Sequence, residues 1–458
     1  MTCILSLIPF YSEMFKIMDS LQLEYLNLVG QQAENREEYF SDLELMMSVD
    51  CEASKRKAAE KRIAIEVLRT GEMICHGDYL TNIRFETCKR LKQGSVTAFE
   101  RYDFMKIFRL GMFHLRMNKT IQDIESGIPN EVNIEDELSL GWFRTELGLN
   151  QISNKEDKIK KCGQYEYHDQ FCLDIGSALL ISAFETFLNS TPSYPEHTAE
   201  GAKKFILEFL DVMDIKYFYD PSNYNEKDPF DNCLSACRDN AGRTVISLVS
   251  DAMEHEGDGL GLRAVRTVMI PYFLNKSQKQ TSKYAPMLLL NKVYYLGASP
   301  RTQARIDMLA CVNPTGEVGH NLARDEFNEH KVRGTKECVR GLHSQLTDIN
   351  ISKSMLGGSI LSQIETHDKE SLLIPHSGGR NSHNYFSEDQ KNKIKQEILI
   401  IKPFDKNRQK IQYYDKSNGS VFSGLSESDI QRFLERNKRL FARKDPHKFM
   451  KTEPDFSM

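Results

Sequence analysis

The sequence predicts a helix-rich α/β protein with a small parallel sheet and a large all-helical insertion. Short apolar runs alternate with helical periodicity early in the chain, which is the pattern of parallel strands joined by helices. These runs are Cys3–Phe10, Met73–Cys75 and Phe104–Phe113. From about Asn118 to about Ser299, helical spacing and polar loops replace this alternation, which predicts a block of helices.

Composition and charge narrow the classes of function. The 458 residues are 40% hydrophobic and 27% charged, which is ordinary for globular domains. Because the net charge is −5, any contact with DNA has to come from local basic patches. Ten cysteines without a C-x-x-C pair indicate reduced thiols, and hence an intracellular protein of the nucleus or cytoplasm. No run approaches about 18 uninterrupted apolar residues, so we expect no contact with a membrane.

Four segments follow from these patterns. They are an α/β part at 1–118, a helical insertion at 119–299, a return helix carrying Asp325 and Glu329 at 300–350, and a polar loop with a C-terminal helix at 351–458. The return helix is predicted to begin in the glycine-containing turn at Gly319.

The first candidate site is the stretch GHNLARDEFNEH, Gly319–His330. Asp325 and Glu329 lie four apart on the predicted helix and share a face, where like charges repel by about 0.2–0.5 kcal/mol. His330 is adjacent to Glu329. Either a cation belongs on this face, with Mg²⁺ as the candidate because it favours carboxylates, or the face is solvated and neutralised by nearby basic residues.

Asp78 and His114 are the second candidate site. Each follows an apolar run that predicts a strand, and ligands of open parallel sheets bind beyond the carboxyl ends of the strands. Asp78 could hold a metal or a substrate hydroxyl there, and His114 could act as a base or a ligand. The alternatives stay open, because Asp78 or Thr81 could cap the next helix and a lone histidine could be a hydrogen-bonded core residue.

A basic C-terminal segment is the candidate for contact with nucleic acid. It interleaves phenylalanine with cations, and phosphate contacts need such patches. A solvated helix face is the alternative. The candidate residues are Arg432, Arg436, Lys438, Arg439, Arg443 and Lys444.

The acidic stretch Glu254–Gly261 carries no recognised ligand spacing. It lacks the pattern of a calcium-binding EF-hand and predicts a mobile loop. The sequence also contains no phosphate-binding loop and no G-x-S-x-G nucleophile motif.

Five stretches in order resemble an uncharacterised family, the domain of unknown function 6589 group, which is widespread in animals and fungi and often looks transposon-derived. They are GDYLT at Gly77–Thr81, GMFHLRMN at Gly111–Asn118, EGDGLGLRAVR at Glu256–Arg266, KYA at Lys283–Ala285 and GHNLARDEFNEHKVR at Gly319–Arg333. Asp325, Glu329 and His330 fall on the family pattern. Glu326 does not, and we expect it to face solvent.

The order of elements is similar to an RNase H-like transposase core interrupted by helices. The resemblance implies catalytic roles for Asp78, His114, Asp325, Glu329 and His330. Asp78, Asp325 and Glu329 would hold Mg²⁺ for phosphodiester transfer on DNA. Such a core also needs an acid on its first strand, and the apolar run at the start of the chain has none. We therefore expect a fragment or a domesticated derivative with an incomplete metal site.

A second hypothesis is a non-enzymatic interaction protein on the same scaffold, whose acid cluster serves packing or partner binding. A third is a hydrolase with His114 as its base, although the sequence shows no nucleophile to accompany it.

Overall fold

The structure is a computed structural model that describes most of the chain in separate stretches. The described residues are 2–70, 72–105, 107–128, 136–159, 164–190, 198–212, 232–273, 284–329, 386–405, 409 and 411.

Two short parallel strands, β1 (Ile74–Gly77) and β2 (Ile107–Leu110), form the sheet at the centre of the candidate site. Their carboxyl ends lie side by side, and the backbone N–H of Gly111 donates to the Gly77 carbonyl at 3.0 Å. The helix-rich fold with a small parallel sheet is thereby confirmed. The larger RNase H-like core has no support within the described stretches, where no third strand joins this pair.

Helices make up most of the rest. They are α1 (Thr2–Gln31), α2 (Arg36–Met47), α3 (Ala53–Thr70), α4 (Tyr79–Leu91), α5 (Met112–Gly127), α6 (Leu140–Glu146), α7 (Glu156–Ile159), α8 (Gln164–Ser190), α9 (Ala199–Val212), α10 (Asn232–Glu256), α11 (Gly259–Phe273), α12 (Tyr284–Gly297), α13 (Pro300–Met308) and α14 (Glu388–Ile401). A two-residue antiparallel pair, β3 (Cys311–Val312) with β4 (Leu322–Ala323), precedes a further helical stretch at 324–329.

Side chains cover the free edge of β2. Asn291 of α12 accepts a hydrogen bond from the backbone N–H of Leu110 at 2.8 Å, and Arg266 of α11 donates to the Leu110 carbonyl at 2.6 Å. A two-stranded sheet is marginally stable alone, and buried backbone groups need partners. These two side chains therefore take the place of a third strand and fix α11 and α12 against the sheet.

One hydrophobic cluster joins the end of the sheet to the helical block. Leu110, Met112 and Leu115 belong to the same buried cluster as residues of α10, α11 and α12, and as Ala323 of β4. The packing of this cluster holds the start of α5 beside β4, although more than two hundred residues separate them in the chain.

The predicted strand at Cys3–Phe10 is wrong, because these residues form the first turns of α1. A short apolar run does not distinguish a buried strand from a helix by periodicity. Further along the same helix, Met18, Gln22, Leu26 and Val29 are buried, at the three- to four-residue spacing of one helical face.

The predicted long helix from Gly319 begins later than expected. Gly319 has φ +82°, in the left-handed region that glycine tolerates and that interrupts a right-handed helix. The pair Leu322–Ala323 then forms β4, and helix starts at residue 324. Its predicted continuation to Leu346 lies outside the described residues.

By length and composition, the stretch Tyr165–Asn189 of α8 is apolar enough to cross a membrane. A core helix has the same properties. Phe171, Ile175 and Leu179 of α8 are buried in the largest hydrophobic cluster, which accounts for its apolar character.

Candidate functional site

The candidate site lies at the carboxyl ends of β1 and β2, where α4 and α5 begin. Asp78 follows β1 and is the N-cap of α4, with its Oδ1 accepting from the backbone N–H of Thr81 at 2.6 Å. The capping interpretation of Asp78 is therefore confirmed. The capping bond uses only Oδ1 of Asp78. The other carboxylate oxygen, Oδ2, could therefore still bind a ligand.

The start of α5 is capped from a distant part of the chain. Its own N-cap residue is Gly111, which makes no side-chain cap bond. Asp325 supplies the acceptor instead, since its Oδ1 accepts from the Phe113 N–H at 3.3 Å and its Oδ2 from the His114 N–H at 3.1 Å. Helix N-termini favour such carboxylates, because their first N–H groups lack partners within the helix.

The His114 imidazole lies between two carboxylates. Its Nδ1 is 3.0 Å from Asp325 Oδ2, and its Nε2 is 3.8 Å from Glu329 Oε1. The Asp325 side chain is 7% exposed and that of Glu329 is 53% exposed. One ring nitrogen is therefore held by a buried carboxylate, while the other faces an accessible one.

Opposing effects set the charge of this pair. Burial of the imidazole lowers the pKa of His114. The hydrogen bond and charge of Asp325 act against burial, together with the charges of Asp78 and Glu329. These effects are larger than that of burial, so the pKa of His114 is raised above its ordinary value. Burial likewise raises the pKa of Asp325, and the hydrogen bonds from His114 and Phe113 reverse this and lower it. The site thus favours an imidazolium beside a carboxylate.

A second histidine at the same edge behaves in the opposite way. Burial and the charges of Arg109, Arg266 and Arg324 lower the pKa of His76 to about 3, so that this ring stays neutral. His76 immediately precedes Gly77 at the end of β1, and no sequence signal distinguished it from His114.

A carboxyl pair that the sequence did not predict lies next to this site. Glu326 does not face solvent as expected: it is partly buried, and burial raises its pKa to about 8, with Glu254 contributing through charge and a hydrogen bond. Glu254 is 1% exposed, and its oxygens accept from the Ala323 N–H at 2.9 Å and from Arg116 Nη1 at 3.1 Å. Burial beside the Glu254 carboxyl thus favours the protonated form of Glu326.

The prediction of a mobile loop at Glu254–Gly261 is also wrong. Glu254 lies in the last turn of α10 and belongs to a buried network. Asp258 Oδ1 accepts from the Leu260 and Gly261 N–H groups at 3.0 Å each and so starts α11. The glycines and acids of this stretch belong to a tight turn between two packed helices, and this composition also resembles that of a loop.

His330 and the six basic residues from Arg432 to Lys444 lie outside the described residues. In the part of the chain that the structure describes, no group of three or more His, Cys, Asp or Glu side chains is arranged to hold a metal ion. The structure does bring His114, Asp325 and Glu329 together.

The fold and site define a helix-rich protein with a histidine–carboxylate cluster at the end of a parallel strand pair. Residues 59–381 match the model of a family of unknown function, DUF6589. This match covers more than half of the chain, which therefore belongs to that family. No curated protein and no solved structure matches the chain significantly. The matched range contains His114, Asp325 and Glu329, whereas the basic segment at 432–444 lies beyond it.

Proposed function

We propose that the cluster around His114 binds a divalent cation and serves phosphodiester cleavage or transfer on DNA, in a protein derived from a transposon. One observation carries this proposal. Asp325 holds Nδ1 of the imidazole, and Nε2, whose proton a cation would displace, lies 3.8 Å from the accessible carboxylate of Glu329.

This arrangement matches the usual surroundings of a metal-binding histidine. Such a histidine donates its second ring N–H to a carboxylate, which fixes the tautomer and the orientation of the ring. A spacing of 3.8 Å between His114 Nε2 and Glu329 Oε1 allows both atoms to lie about 2.0–2.2 Å from one cation. In this proposal Asp325 orients His114 and is not itself a ligand, which revises its role in the sequence prediction.

The donor set also bears on which cation is bound. Mg²⁺ favours oxygen ligands and keeps several waters, whereas imidazole with carboxylate suits Mn²⁺ or Zn²⁺ better. His114 and Glu329 would supply one nitrogen and one oxygen, and the charge of Asp78 acts on His114, which makes Asp78 a candidate for a third position. We therefore propose Mn²⁺ in preference to the Mg²⁺ that the sequence predicted.

A bound cation at this position would polarise a phosphate oxygen and lower the pKa of a bound water. Asp325 would keep the His114 ring in place throughout. The partly exposed edge of Glu329 would leave one side of the site open to the DNA backbone. The proposal includes an RNase H-like core. Two parallel strands support this part of it, because each strand leads into a helix that has a candidate residue at its cap or in its first turn.

A cleavage assay tests the proposal. We expect the full chain to nick a fluorescein-labelled DNA duplex with Mn²⁺. Glu329→Gln and His114→Gln should lower the rate at least 100-fold, whereas Glu37→Gln, which changes an exposed acid on α2, should leave it unchanged. Equal rates in all four proteins would contradict the proposal, as would cleavage without a divalent cation.

A second candidate function is a non-enzymatic interaction protein. The observation in its favour is that Asp325 already accepts two backbone N–H bonds and faces His114 Nδ1, which is a structural role. If Mn²⁺ neither binds nor supports cleavage, this candidate takes precedence.

A further inference from the structure

A cavity of about 400 Å³ lies between β2 and helices α11, α12 and α13. Its walls include the apolar side chains of Phe108, Ile270, Leu288 and Ile306. This size is within the range of pockets for small organic molecules.

Four cationic side chains and one neutral amide share the lining with these apolar walls. The cations are Arg109, Arg263, Arg266 and Lys292, and the amide is that of Asn291. No aspartate or glutamate lines the cavity, so that the charge presented to a ligand is positive.

Two of the guanidinium groups are buried without a carboxylate partner. Arg109 is 5% exposed and Arg266 is 8% exposed. Each donates one bond to a backbone carbonyl, Arg109 to Ile306 at 2.7 Å and Arg266 to Leu110 at 2.6 Å. Neither forms an ion pair within the described stretches. Burying an unpaired charge is costly, and burial lowers the pKa of Arg109 to about 10.

Two residues that line the cavity carry unused hydrogen-bond donors. Arg266 Nε and Asn291 Nδ2 are buried and have no hydrogen-bond partner among the described residues. Both side chains are anchored to the backbone of one residue, Leu110, so they lie at the same point of the strand edge. An unsatisfied buried donor is unfavourable, and an acceptor between these two would remove that cost.

The mouth of the cavity is accessible and partly apolar. Leu260 and Leu296, which line it, are 58% and 64% exposed, and Lys292 is also exposed. Arg263 stacks on the Tyr295 ring, with 4.5 Å from its guanidinium carbon to the ring centroid, and pairs with Asp307 at 3.1 Å. An apolar ligand can therefore enter past leucine side chains and meet cations inside.

We infer that this cavity binds a small organic anion, a carboxylate or phosphate ester carried on an apolar ring or chain. The anionic group would accept from Arg266 Nε and Asn291 Nδ2, and the apolar body would lie along Phe108, Ile270 and Leu288. This site is separate from the cluster around His114 and does not depend on its metal.

Calorimetric titration of the full chain with four matched probes tests the inference. The probes are 1-naphthoate, 1-naphthyl phosphate, neutral 1-naphthamide and inorganic phosphate. We expect at least one naphthyl anion to bind with 1:1 stoichiometry, at least tenfold tighter than both the amide and inorganic phosphate. The tighter of the two anions identifies the preferred head group. Equal affinity for anion and amide, or no binding of either anion, would overturn the inference.

Variants locate the binding. Ala264 is exposed and lines the cavity, so Ala264→Trp should fill the mouth and abolish binding of the anion without disturbing the core. Ala202→Trp, on an exposed position of α9 outside the cavity, is the matched control and should bind normally. Arg266→Lys keeps the charge but removes Nε, and should weaken binding at least fivefold. Unchanged binding in Ala264→Trp would place the ligand elsewhere and contradict the inference.

Discussion

Gly111 and Asp325 approach so closely that a Cβ atom on residue 111 would overlap the Asp325 carboxylate. Because residue 111 is glycine, the Asp325 carboxylate can reach the first N–H groups of α5, although it comes from a segment more than two hundred residues away. The same carboxylate fixes the His114 ring. The glycine, the acid and the histidine thus form one structural unit.

Replacing Gly111 with alanine is expected to displace Asp325. Overpacking costs about 1–3 kcal/mol, and the Gly111→Ala protein should lose that much free energy of unfolding in urea titrations. Gly94→Ala is the control, since a Cβ there meets no atom within 4 Å, and it should change stability by less than about 0.5 kcal/mol. Equal losses in both proteins would argue against the close approach.

Asp325→Asn should lower the pKa of His114. The substitution removes the charge and the charged hydrogen-bond partner that raise this pKa, and leaves the burial that lowers it. The imidazole resonances in NMR, followed with a chelator present, measure the change. In the unchanged protein His76, with its pKa lowered to about 3, should not titrate between pH 5 and 8, whereas His114 should titrate above the usual range of a histidine. An unaltered His114 titration in Asp325→Asn would show that the contact is absent in solution.

The raised pKa of Glu326 makes the free energy of unfolding depend on pH. Its pKa is raised from 4.5 to about 8, so between these values the folded state holds a proton that the unfolded state has lost. Stability should therefore fall as pH rises from about 5 to 8, by at most about 1.4 kcal/mol per pH unit for one proton. The raised pKa of His114 acts in the same direction, because its contribution is lost as pH rises through the folded pKa.

Glu326→Gln removes that titration and should flatten the dependence of unfolding free energy on pH, measured with urea at several pH values. Glu37→Gln, at an exposed position, should keep the slope of the original protein. The same slope in Glu326→Gln and in the original protein would mean that Glu326 is ionised in the folded state at neutral pH.

Asn291→Leu should destabilise the strand pair. It removes the acceptor for the Leu110 N–H, and an unsatisfied buried donor costs about 1–3 kcal/mol. Asn291→Asp keeps the acceptor and places a carboxylate near Arg266, so it should retain more stability in the same urea titrations. Greater stability in Asn291→Leu than in Asn291→Asp would contradict the proposed covering of the strand edge.

The sequence indicated where the candidate site lies, but it did not indicate which hydrogen bonds join its residues. The rule that ligands bind beyond the carboxyl ends of parallel strands put Asp78 and His114 at one edge, and the ordered motifs added Asp325 and Glu329. That Asp325 caps α5 could not be predicted, because it depends on a contact between residues 211 positions apart.

The secondary structure of one segment and two groups of side chains depend on contacts that local sequence patterns do not encode. The run at Cys3–Phe10 is compatible with strand or helix by its apolar content alone, and the packing of α1 decides. The Glu326–Glu254 pair and the cationic cavity each assemble side chains from separate elements. Neither leaves a local pattern in the sequence.

Calorimetric titration of Mn²⁺ into the full chain is the decisive test of the claim that His114 and Glu329 hold one divalent cation. We predict a single site that weakens at least tenfold in both His114→Gln and Glu329→Gln and is unchanged in Glu37→Gln. The absence of a Mn²⁺ site in the original protein, or a site of equal affinity in all four proteins, would contradict the claim.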